Sequence, residues 1–184
     1  MTNFHGDIQS WSRFVRDRAQ DIEDRAVQIG HMCVAWSSLE LDLTILLSEL
    51  TKFPDAPSKN ILLGSLELKS KIGATKALGF SRKPNDEWFH ELEALLNEID
   101  NVIRPERNRM IHDFWMHIPD SFGKIDIIRA EFKPKIAKTQ SYTKELTLVN
   151  LKNVSTEDIQ GLVEKIFDAN ARILYLKDIF SSAS

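Results

Sequence analysis

Apolar residues return every seven positions along the first third of the chain: Ile22, Ile29, Trp36, Leu43 and Leu50, with Ala26, Cys33 and Leu47 on the same stripe. That spacing predicts one amphipathic helix of roughly thirty residues, with Gly30 as a place to bend. "FPDAPSKN" (53–60), with its two prolines, ends it. A second helix is expected from about Ser65 to Leu78, with Leu68, Ile72 and Thr75 inward and Lys69, Lys71 and Lys76 outward. Gly79 then stands where a helix C-terminus favours a residue that tolerates positive φ.

A third apolar face runs through Trp88, Leu92, Leu95, Leu96, Ile99, Val102 and Ile103. Pro105 either interrupts this helix or opens a fresh segment over 105–115, because proline lacks the backbone donor yet suits a first helical turn. The period then shortens to two. "KIDIIRAEF" (124–132) and "KELTLVNL" (144–151) alternate apolar and polar residues, with a slip at Ile127–Ile128 that predicts a bulge. They read as a β-hairpin with a long basic tip, an insertion over 122–151. "VSTEDI" (154–159) is a helix start: Ser155 as N-cap, Asp158 three residues on, Val154 stapled to Ile159. Ile159, Leu162, Val163, Ile166, Ala169, Ile173 and Leu176 continue that helix toward the C-terminus. The expected fold is mainly α: a helical bundle in one domain over 1–184, with a β-hairpin before the last helix and an N-terminal extension or helix over 1–20.

Composition narrows the class. With 184 residues, 42% hydrophobic and 28% charged, the chain has the balance of a soluble globular domain. A net charge of −3 gives no global reason for nucleic-acid binding, so any such binding must come from a local patch. The single cysteine, Cys33, excludes an intrachain disulfide and fits a reducing compartment. The N-terminus lacks an apolar run, and no segment has the ~20 apolar residues of a membrane span. A cytoplasmic protein without membrane contact is expected.

The chemistry concentrates in "RPERNRMIHDFW" (104–115). On a helix Asn108 and His112 share a face, Arg109 borders it, and Arg107 lies about 140° around from His112. Histidine moves protons near neutral pH, arginine grips phosphate oxygens in a planar fork, and asparagine donates to a phosphate or holds an imidazole tautomer. Together they suit cleavage of a phosphodiester without a metal. His31, His90 and His117 show no ligand spacing, so no metal and no cofactor are expected.

The run Arg107-Asn108-Arg109-Met110-Ile111-His112 resembles the R-N-x-x-x-H signature of HEPN domains, all-helical RNases and RNase-derived binding modules. "AWSSLELDLTILLSEL" (35–50) is similar to the family's helix with a tryptophan and a glutamate one turn apart. The resemblance implies a homodimer in which two motifs form a composite, metal-independent endoribonuclease site, of toxin or antiviral-effector type, with an RNA substrate and an antitoxin as a possible partner. It implies His112 as general base on a ribose 2′-OH, Arg107 stabilising the phosphorane, and Asn108 supporting substrate or histidine. A tyrosine that some members carry two residues after the histidine, for modification by a partner nucleotidyltransferase, is Phe114 here. The same fold without catalysis, as an RNA- or protein-binding module, is the alternative.

Each residue also has a plainer reading. His112 suits a helix-end cap; Arg107 and Arg109 suit surface pairing with Glu106 or Asp113. Glu40 falls on an otherwise apolar stripe and calls for a cationic partner, Arg107 or Arg109 being the candidates; both Glu40 and Arg109 are candidate site supports. Trp36, Trp88, Phe114 and Trp115 are expected in the core. On the hairpin, Lys124, Arg129, Lys133, Lys135 and Lys138 outnumber Asp126 and Glu131. This is either an RNA-backbone patch or a solvated edge whose lysines block sheet-to-sheet association.

Overall fold

In the computed structural model, the first helical period is realised as α1, Glu23–Thr51. The structure describes residues 8–10, 12–13, 16, 23–52, 56–119, 125–137 and 143–182. Most of the expected N-terminal extension lies outside these. The remaining elements are α2 (Ala56–Gly64), α3 (Leu68–Arg82), α4 (Glu87–Glu98), a π-helical turn (Ile99–Ile103), α5 (Arg104–His112), β1 (Phe114–Pro119), β2 (Ile125–Ala137), β3 (Thr143–Asn153) and α6 (Thr156–Ser182). The chain is mainly helical with a small antiparallel sheet. No helix among the described residues is long and apolar enough to cross a membrane. The residues group into two units: His31–Asn108 with Gln160–Ser184, and Met1–Gly30 with Arg109–Ile159.

The first of these is helical. From α1 it buries Met32, Trp36, Leu39, Leu43, Leu46 and Leu50, a stripe of alternating four- and three-residue steps. The expected stripe was centred slightly to one side of this one: Cys33 is only half-buried and Ala26 is exposed. From Ile166 onward α6 contributes Ile166, Ala169, Ile173 and Leu176 as expected. Trp88 of α4 stacks on Phe180 and donates its indole N–H to the Leu176 carbonyl at 2.7 Å, satisfying a polar group that burial would otherwise strand. Asp86 caps α4 by accepting from the Trp88 N–H at 2.8 Å.

Of three local expectations here, two hold and one changes. The proline-rich stretch ends the first helix as expected, α1 closing at Thr51, and α2 begins at Ala56. α3 runs past Gly79 to Arg82, and the left-handed turn that follows is made by Asn85, φ 60°. Gly79 matters for a different reason. A Cβ there would lie 3.0 Å from Leu92 Cδ2 and 3.3 Å from Phe89 Cδ2, so its hydrogen lets α3 close on α4. Pro105 lies in the first turn of a fresh helical segment, α5, as expected. The π-helical turn just before it has the Arg104 N–H reaching five residues back to the Ile99 carbonyl, and α5 ends at His112 rather than at Trp115.

The second unit holds the sheet, ordered β1-β2-β3. The hairpin β2–β3 is present, but it has a third strand: 114–119, of which Phe114 and Trp115 were expected to close a helix, pairs with β2 in the register Phe114↔Ala130 to Pro119↔Ile125. The register shift lies between Glu131 and Phe132 rather than at Ile127–Ile128. Pro134 lies on β2 beyond Ala130, the last residue of that strand paired with β1, and opposite Leu146 of β3. The start of α6 follows expectation. Ser155 N–H donates to Asp158 Oδ2 at 2.9 Å, the Asp158 N–H donates to Ser155 Oγ at 3.1 Å, and Val154 and Ile159 are both fully buried. The Ser155 backbone N–H holds the Asp158 carboxyl below the usual aspartate range. Arg25 at the start of α1 donates to the Val154 carbonyl at 3.0 Å.

Candidate functional site

All three residues of the R-N-x-x-x-H run fall on α5, the helix that follows the π-helical turn. Arg107 and Asn108 belong to the helical unit and His112 to the sheet unit. In the helical unit the Arg107 guanidinium lies 5.4 Å from the centroid of the Trp36 ring, a cation–π distance. Its Nη1 donates to Asn108 Oδ1 at 3.1 Å. Its Nε is shielded from solvent and has no acceptor among the described residues. An orphaned buried donor costs about 1–3 kcal/mol, so this one marks a position where an acceptor is missing. Asn108 is therefore tied to Arg107, its immediate neighbour.

Trp36 was expected only as core. It is buried, and it is also the surface on which Arg107 is laid out. The signal in the sequence was its place one turn before Glu40 on α1, which says nothing by itself about a guanidinium 71 residues later. Glu40 does have a cationic partner, but not an arginine of the motif. Lys71 Nζ lies 3.5 Å from Glu40 Oε1. Lys71, expected outward, is buried for that reason, since the amine reaches a carboxylate instead of solvent. Glu40 thus supports α3 rather than the motif arginines.

In the sheet unit His112 and Arg109 are exposed. Trp115 donates its indole N–H to the Met110 carbonyl at 3.2 Å. Arg129, expected on a basic outer face, is 4% exposed; its Nε lies 3.4 Å from Asp113 Oδ2 and its Nη1 3.3 Å from the Met110 thioether. It faces inward and does not belong to a surface patch. Lys133 and Lys135 lie on β2, but the positions of their side chains, like Lys124 and Lys138 altogether, lie outside the described residues. Among the described residues no group of three or more His, Cys, Asp or Glu is placed to hold a metal ion. A depression of about 370 Å³ is lined by Cys33, Val34, Ser37, Ser38 and Leu41 of α1, away from the motif in sequence.

No protein-family model matches the chain, and neither a curated protein nor a solved structure matches it.

Proposed function

We propose that this chain is a HEPN-type endoribonuclease that cuts RNA by attack of the ribose 2′-OH, at a site composed from the α5 motifs of two copies. His112 takes the proton of the 2′-OH. The oxygen attacks the adjacent phosphorus, the bond to the 5′-oxygen breaks, and that oxygen takes up a proton from solvent. The products carry a 2′,3′-cyclic phosphate and a 5′-hydroxyl. Arg107 meets the charge that develops on the phosphorane, and Asn108 orients Arg107 or the substrate.

One observation carries this reading: the Arg107 guanidinium is laid on Trp36 and held by Asn108, with a buried Nε lacking an acceptor. A guanidinium whose plane is fixed in this way suits a phosphate oxygen. His112 is exposed on the same helix, as taking a proton from a polymer requires. The second reading, a binding module without catalysis, is favoured by the Nη1 contact: Asn108 already occupies one of the donors that would face the phosphate.

His112→Ala decides between them. In the first reading it lowers cleavage of single-stranded RNA by about 10²–10⁴ and leaves the fold and RNA binding intact. Cleavage survives a chelator and DNA is not cut. Cleavage that needs magnesium, or that persists in His112→Ala, defeats the mechanism; an uncleaved but bound RNA points to the module. Light scattering tests the composite site, because a 21.1 kDa species at tens of micromolar contradicts it.

A further inference from the structure

We propose that Arg129 is a positioning residue that fixes His112 by clamping the residues on either side of it. The catalytic consequence rests on the RNase reading above; the clamp itself does not.

The last turn of a helix leaves carbonyls without intrahelical partners and frays unless something holds it. Nothing after His112 provides a glycine to close the turn; Asp113 follows, its N–H donating to the Arg109 carbonyl at 3.1 Å. The hold comes from the sheet. Trp115 on β1 and Arg129 on β2 stand directly opposite one another in the register, so their side chains share one face. Trp115 takes the Met110 carbonyl at 3.2 Å. Arg129 spans two targets: Nη1 at 3.3 Å from the Met110 sulfur and Nε at 3.4 Å from Asp113 Oδ2. Met110 is 2% exposed and Arg129 4%, whereas His112 between the clamped residues is exposed. The backbone at 112 is thus held on both sides while its imidazole stays open to solvent.

The chemistry explains the residue type. A guanidinium is a rigid planar fork with donors in more than one direction, and a lysine of similar reach offers one point charge. A general base must stand within hydrogen-bond reach of the proton it takes, and a displacement of about 1 Å costs on the order of 10²-fold in rate. A free helix end would let His112 wander by more than that.

The test uses the full chain and the imidazole resonances of its five histidines, with His112 assigned by the signal lost in His112→Gln. Arg129→Lys keeps charge and stem but loses the fork; Arg129→Gln loses the charge too. The expected result is a displaced and broadened His112 signal in Arg129→Lys, larger in Arg129→Gln, with the His31 and His90 signals unmoved. Where RNA is cut, kcat falls about tenfold or more with KM unchanged. If Arg129→Gln fails to fold, Arg129→Lys carries the test. A wild-type His112 signal in folded Arg129→Lys overturns the proposal, whatever the cleavage. A displaced His112 signal in a protein that cuts no RNA upholds the clamp and removes the RNase reading instead.

Discussion

Among the described residues each unit buries one strong cation, and the two are held differently. In the helical unit Lys71 is buried with its amine 3.5 Å from Glu40, whose side chain remains 35% exposed. In the sheet unit Arg129 and Asp113 are 4% and 14% exposed, and the arginine touches a second residue besides. A lysine stem can slide along apolar surface until its head finds water or a half-hydrated carboxylate, so the helical unit keeps an exit for its charge. The guanidinium between strand and helix end has no such exit. A buried cation with an exit is a packing solution, whereas one without an exit locks two elements together.

The comparison breaks most readily at Asp113. Asp113→Ala takes the carboxylate away from buried Arg129 and should cost about 3 kcal/mol, read as a shift of the urea midpoint with an unchanged slope. Glu40→Ala should cost only about 0.2–1 kcal/mol, because Lys71 can turn its head to solvent. Equal losses in the two variants would show that the exit does not exist. A smaller effect sits at the start of α6. Ser155→Ala removes half of the reciprocal cap and should cost about 1 kcal/mol. Asp158 has a folded pKa below the ordinary value of about 3.9. Its stabilising share is therefore present above that value and is lost as pH falls through the lower folded one. Asp158→Asn should accordingly differ from the parent at pH 7 and converge with it in strong acid. Another small effect separates two glycines of the helical unit. A Cβ at Gly161 meets nothing within 4 Å, so Gly161→Ala should raise stability by about 0.5–1 kcal/mol. Gly79→Ala should forfeit that gain, since Leu92 stands at 3.0 Å from the new carbon. A stabilising Gly79→Ala would show that α3 and α4 can ease apart.

What the sequence determined by itself is what neighbours along the chain decide. The helical period of α1 and α6, the reciprocal cap of Ser155 and Asp158, the pairing strands β2 and β3, and the R-N-x-x-x-H run on a helix were all legible. Each depends on residues within about one or two turns, or on the two-residue alternation of a strand. Tertiary structure alone decided which polar residues go inside. Lys71 and Arg129 look like surface residues by type, and each is buried because a carboxylate from another element, Glu40 or Asp113, meets it there. Gly79 looks like a helix stop and is instead the point where two helices touch. Trp36 looks like core and also carries Arg107. The third strand escaped notice because Phe114 and Trp115 continue an aromatic helix face equally well; only the opposite partners Ala130 and Arg129 make them a strand. A buried charge or a paired strand is stable only against its partner, and the partner's distance along the chain is not written in either residue.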